Sequence, residues 1–145
     1  MRYARYQVIV KNEHQMYEFC SEGQRGSIQK AVIYTHIQGN LYNLAFGDWN
    51  ESNQKLDDSI RSNNGDKDKV LATVAFTALT FTEQYPKAEI FVEGSTASRT
   101  RLYQMGINNN LLEISLNFNV KGYREEYWEP FRQGRNYKAF LIQRK

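Results

Sequence analysis

Apolar positions along this chain change period near its middle. Residues 4–11 (ARYQVIVK) set Tyr6, Val8 and Val10 on one parity, and 16–22 (MYEFCSE) alternate Tyr17 and Phe19 with polar neighbours. Both have the two-residue period of a half-buried strand. Residues 28–37 (IQKAVIYTHI) and 41–48 (LYNLAFGD) add two more strands. The turns between them, 23–26 (GQRG) and 38–40 (QGN), are short enough for an antiparallel meander. Over 49–66 the pattern lapses into a polar stretch rich in Asn, Ser and Asp. A long loop is expected there, with a helical turn around 56–60.

The period then lengthens. Val70, Leu71, Val74, Ala75, Ala78, Phe81 and Tyr85 recur at spacings of three and four, which predicts one face of a long helix. Asn64 or Asp66 is placed to cap it through a side-chain oxygen, and Pro86 stops it. Thr73, Thr77, Thr80 and Thr82 lower helix propensity, so tertiary packing must hold this helix. Ala72, Ala75 and Ala78 permit close approach to a sheet. Residues 88–92 (AEIFV) predict a short buried strand. Ser95 or Thr96 then caps a second helix whose apolar contacts are Leu102, Tyr103 and Met105, and Gly106 is placed to end it in a left-handed conformation. Residues 107–122 fit both periods, and the expectation is a helical turn followed by a strand over about 117–122. The stretch 124–136 (REEYWEPFRQGRN) suggests a hairpin packing its aromatics onto the sheet, and 137–143 (YKAFLIQ) closes the chain as a strand.

Four strands, helix, strand, helix and two strands predict an α+β fold over a single domain, 1–145. It would have one mixed, largely antiparallel sheet and two main helices. The helix joining 41–48 to 88–92 permits a parallel pairing there. With 41% apolar and 24% charged residues, the chain has the composition of a soluble globular domain. Aromatics reach 14%, ten of them tyrosine, which suits half-buried sheet surfaces and binding clefts alike. The single cysteine, Cys20, precludes an internal disulfide and fits a reducing, cytoplasmic compartment. Cys20 itself reads as a small buried residue. No stretch is long and apolar enough for a signal peptide or a membrane span.

The net charge of +3 sits in the second half, since residues 67–145 carry twelve Lys/Arg against eight Asp/Glu. That surplus favours an anionic partner, although solvated side chains also account for it. The strongest candidate for chemistry is the turn Gly94-Ser95-Thr96 leading into a helix with Arg99 and Arg101. Helix-start amides, hydroxyl donors and arginine forks together suit a phosphate or another anion, and an ordinary helix cap with two solvated arginines is the plainer alternative. The acidic loop around Asp57, Asp58, Asp66 and Asp68 lacks the closing glutamate of a calcium loop, and His14 and His36 stand without ligand-spaced partners, so no metal is expected. Tyr123, Arg124, Tyr127, Trp128, Phe131, Arg132, Arg135 and Tyr137 mix stacking and basic groups as single-stranded nucleic acid requires. Glu125, Glu126 and Glu129 interrupt that patch.

Two resemblances follow from these residues. The segments NGDKDKVLATVAFTALTFTEQYP (64–86), EGSTASRTRLYQMGI (93–107) and YKAFLIQRK (137–145) resemble a family of small uncharacterised bacterial proteins, a domain of unknown function. The helix, the strand AEIFVEG and the helix carrying ASRTRLYQMGI are similar to the later half of GCN5-related N-acetyltransferases, covering about a third of the chain. That likeness implies an acetyltransferase-like topology and acyl-coenzyme A as cofactor, with Tyr103 as general acid near the leaving thiol. The chain departs from the family's glycine-rich pyrophosphate loop, because Arg61-Ser62-Asn63-Asn64-Gly65-Asp66 holds one glycine and an acid. The expected function is therefore a cytoplasmic binding or regulatory domain without a cofactor or a complete catalytic constellation, whose partner is a protein or an anionic ligand. A diverged acyl-coenzyme A-dependent N-acyltransferase is the first alternative and a nucleic-acid-binding protein the second.

Overall fold

The computed structural model describes residues 4–58 and 63–145. The first half is the expected meander: β1 (Ile9–Lys11), β2 (Met16–Gly23), β3 (Gly26–Gln38) and β4 (Leu41–Asn50), each antiparallel to the next. Strand β1 is shorter than the 4–11 pattern suggests. Tyr6 leaves the ladder, its backbone N–H donating to Thr73 Oγ1 at 2.9 Å while its ring stacks on Phe19 at 5.8 Å. The remaining elements are β5 (Lys55–Asp57), α1 (Lys67–Gln84), β6 (Glu89–Val92), α2 (Ala97–Asn109), α3 (Leu111–Asn117), β7 (Phe118–Arg124), β8 (Tyr127–Pro130) and β9 (Ala139–Arg144).

These form one mixed, mostly antiparallel sheet with three helices, an α+β fold. The strand order is β1-β2-β3-β4-β6-β9-β7-β8, with β5 also paired to β4. Strand β6 runs parallel to β4, Leu41 opposite Glu89 and Leu44 opposite Val92, with α1 as the crossover. Several boundaries differ from the sequence expectation. The polar 49–66 stretch is partly a hairpin: β4 continues to Asn50 and β5 returns against it, Asp48 opposite Asp57. Residues 55–57 are thus strand where a helical turn was expected, and 59–62 lie outside the described residues. Gly106 does not end α2, which runs on to Asn109; it sits where α1 crosses, and a Cβ there would stand 3.3 Å from Leu71 Cδ2. The ambiguous 107–122 stretch resolves into α3 and β7, and 127–130 adds β8 to the hairpin.

Helix α1 packs on the sheet face that presents Tyr17, Phe19, Tyr34, Leu44, Phe46 and Ile90, all buried. Phe81, fully buried, stacks on Tyr34 at 4.1 Å between ring centres. Burial of a side chain this large stabilises by about 1.5–3 kcal/mol. The threonines of α1 are the helix's polar contact with the sheet. Thr73, Thr77 and Thr82 are fully buried, and their hydroxyls donate back to the carbonyls of Lys69, Val74 and Ala78. The same oxygens meet the Tyr6 amide, the Tyr34 hydroxyl at 2.8 Å and Arg144 Nε at 2.8 Å. A poor helix former is thus retained because it satisfies groups that an aliphatic side chain would orphan.

Candidate functional site

The β2–β3 turn is tied to the chain just before α1 by one amide side chain. Asn64 is 2% exposed; its Nδ2 donates to Ser21 Oγ at 3.1 Å and the Gly26 carbonyl at 2.9 Å, and its Oδ1 accepts from Arg25 N at 2.6 Å. Its own carbonyl accepts from Gln24 N at 3.2 Å. Close contact requires glycine at 23, where a Cβ would fall 1.9 Å from the Asn64 oxygen. Asn64 is therefore a clamp on the β2–β3 turn rather than a helix cap. Asp66 does occupy the N-cap position, yet its side chain makes no cap hydrogen bond. Its Oδ2 instead accepts from the Tyr6 and Ser21 hydroxyls, each at 2.5 Å. The first-turn amides of α1 consequently receive no acceptor from that carboxylate.

Those amides border a cavity of about 640 Å3, lined by Lys30, Phe46, residues 63–71, Arg99 and Leu102. Phe46 forms an aromatic part of its wall, with Lys30 Nζ 5.7 Å and Arg99 Cζ 5.4 Å from the ring centre. Lys30 is buried and paired with Asp48 at 2.6 Å. Lys67 and Lys69 stand at the start of α1, Lys69 reaching over the Tyr6 ring at 4.2 Å. Of the acids, Asp66 is engaged as described, and Asp68 is exposed and accepts a long contact from Asn109 at 3.4 Å. The cavity is therefore walled by four cationic side chains and an aromatic ring, at the positive end of an 18-residue helix.

Below it the edge of β4 is divided. Strand β6 takes residues 41–44 and β5 takes 48–50, leaving 45–47 between them. Arg99 fills that interval: its Nη2 donates to the Phe46 carbonyl, and the side chain is 6% exposed. The Tyr103 hydroxyl lies against the same Phe46 backbone and Arg99; burial pushes it up to about 12, against the opposing Arg99 charge.

The residues singled out at 94–101 come together, largely through contacts with one another. Thr96 caps α2, its Oγ1 accepting from Arg99 N at 3.2 Å. Gly94 N donates to Thr100 Oγ1 at 3.0 Å, and the glycine is needed because a Cβ would lie 2.3 Å from Thr100 N. Ser95 Oγ donates to the Asp58 carbonyl at 3.0 Å. Arg99 alone of the five reaches the α1 cavity, while exposed Arg101 lines a separate groove of about 280 Å3 with Ser98, Gln104 and Asn136. Lys30, Phe46 and Lys69 had no sequence signal as site residues, since strand register and helix crossing bring them together.

Other groups have structural partners. Cys20 is half-buried rather than buried, with Sγ 3.2 Å from Glu22 Oε1, and burial followed by that carboxylate raises its thiol. Phe131 and Tyr137 of the aromatic stretch pack on the core beside Phe140, and Arg135 pairs with Glu129 at 2.9 Å. Among the described residues no three His, Cys, Asp or Glu side chains cluster as a metal site, and no helix is long and apolar enough to cross a membrane.

The model of a family of unknown function, DUF6934, matches residues 2–145, so the chain belongs to that family. Neither a curated protein nor a solved structure matches the chain.

Proposed function

We propose that this protein is a binding domain for a small phosphate-bearing ligand held where α1 begins. The observation that carries the reading is the cavity itself. Lys30, Lys67, Lys69 and Arg99 line it beside first-turn amides that the Asp66 side chain leaves uncapped. Its volume, about 640 Å3, lies within the range of ligand pockets. An anion there gains both the helix dipole and the amide donors. Of the two acids in the lining, Asp66 is hydrogen-bonded to Tyr6 and Ser21 and Asp68 is exposed, so the four cations outnumber them. A regulatory role in the cytoplasm suits such a module, and a half-buried free thiol fits a reducing compartment.

Titration with inorganic pyrophosphate and nucleotides at low salt tests this directly. Binding should weaken about ten-fold in a Lys67→Glu/Lys69→Glu variant, about 1.4 kcal/mol, and be unchanged in Arg101→Ala. Equal affinity in all three proteins would remove the cavity as the site.

A second reading, an acyl-coenzyme A-dependent N-acyltransferase, is favoured by two observations. Strand β4, helix α1 and the parallel strand β6 follow the order the acetyltransferase resemblance implies, and the cationic cavity opens at the start of the helix after β4. Tyr103, which the resemblance implies as general acid, is buried against Arg99 and the Phe46 backbone and, like any tyrosine, holds its proton at neutral pH. Acyl-coenzyme A stabilising the fold, with slow acyl transfer lost in Tyr103→Phe, would favour this reading over simple binding. A short oligonucleotide, bound with a steep salt dependence, would point to nucleic acid instead.

A further inference from the structure

Helices α1 and α2 begin in opposite ways. At α2 the N-cap residue, Thr96, has an extended backbone (φ −136°, ψ 165°), and its Oγ1 accepts from Arg99 N in the first turn. At α1 the N-cap residue is Asp66, a charged acceptor, yet its backbone is not extended (φ −124°, ψ 30°) and its carboxylate makes no cap bond. Two hydroxyls hold that carboxylate elsewhere. Those of Tyr6 and Ser21 both donate to Asp66 Oδ2. Each is fixed in turn, the Tyr6 oxygen accepting from Glu22 N at 3.1 Å and the Ser21 oxygen from Asn64 Nδ2 at 3.1 Å. Tyr6 stands behind the cavity wall and touches two charged groups that line it, Asp66 through its hydroxyl and Lys69 through its ring.

We infer that Tyr6, together with Ser21, is a positioning residue for the α1 cavity: it latches the Asp66 carboxylate away from the amides that receive the ligand's anion. This rests on the reading of the cavity as an anion site. A carboxylate released at an N-cap position turns to the nearest free donors, the first-turn amides of its own helix. Being tethered there, it competes with any diffusing anion at a high effective concentration. Loss of one phenol oxygen behind the wall therefore weakens anion binding, and the loss is carried by the Asp66 charge. The Tyr6 ring is a separate matter, since its contacts with Lys69 and Phe19 survive in Tyr6→Phe.

Pyrophosphate titrated calorimetrically at neutral pH and low salt into the whole chain, Tyr6→Phe, Asp66→Asn and the double variant tests the inference. Tyr6→Phe should weaken binding about four-fold, the effect of one unit charge over about 5 Å in a water-like dielectric. The same substitution made on Asp66→Asn should change nothing, because the competing charge is gone. Without ligand, hydrogen exchange at the Lys69 amide should slow in Tyr6→Phe, since that amide stands to α1 as the Arg99 amide stands to α2. Ser21→Ala removes the other donor and serves for the same comparison should Tyr6→Phe not fold. Equal affinity in the wild-type chain and Tyr6→Phe overturns the latch and leaves the anion site standing. A loss of the same size on the Asp66→Asn background also overturns it, because Tyr6 then acts through another group, as does unchanged or faster exchange at Lys69. Failure of pyrophosphate to bind the wild-type chain removes the anion site, and the role of Tyr6 with it.

Discussion

Single side chains decide much of this fold because they close polar accounts inside it. Removing the Asn64 amide leaves the Ser21 hydroxyl, the Gly26 carbonyl and the Arg25 amide short of partners. Asn64→Ala should therefore cost about 2–3 kcal/mol, read as a lower urea midpoint. Thr77 and Tyr34 form a buried pair at 2.8 Å. Thr77→Val alone should cost about 1–3 kcal/mol, and the double variant with Tyr34→Phe should recover most of it, because an orphaned buried hydroxyl costs more than an absent pair. Additive losses in that cycle would contradict the pairing. Tyr103 gives a pH prediction. An acid whose folded value is raised to about 12, against about 10 unfolded, keeps its proton after the unfolded chain has lost its own. Stability is then full below pH 10 and falls as pH climbs toward 12, by about 2–3 kcal/mol for this group. Burial pushes Tyr17 and Tyr34 in the same direction. Urea melts at pH 9 and pH 11 check the sign, and a flat profile would contradict it.

At the scale of elements, the regular ones were legible. Alternation in 16–48 and the three-to-four spacing in 70–85 reflect burial of one face, which is local and periodic. What escaped was set by contacts distant in sequence. The β4–β5 hairpin carries polar residues because it lies at the division of the β4 edge, and Gly47 marks the spot: a Cβ there would meet the Asp57 oxygen at 2.2 Å. Gly106 looked like a terminator because glycine ends helices, yet here it admits Leu71 at a helix crossing. Gly94 serves the same purpose against the first turn of α2. Gly94→Ala should lower stability by about 2–3 kcal/mol through backbone displacement, with the melting temperature falling while the unfolded baseline is unchanged.

Over the whole molecule, two crossings organise the candidate site. The parallel step from β4 through α1 to β6 brings the start of α1 over the meander, and α2 returns Arg99 to the divided edge of β4. The sequence pointed to helix-start amides and Arg99 at α2; in the structure the Thr96 side chain caps α2, whereas the Asp66 side chain makes no cap bond at α1. Side-chain choice by a would-be cap depends on what lies beside it in space, here Tyr6 and Ser21, sixty and forty-five residues away in sequence. The most direct measurement is therefore a titration of the isotopically labelled protein with pyrophosphate, followed through its backbone amides. The largest shifts are expected at Lys67, Asp68 and Lys69, with Thr96 and Arg101 still. Shifts centred on 94–101, or none anywhere at millimolar pyrophosphate, would contradict it.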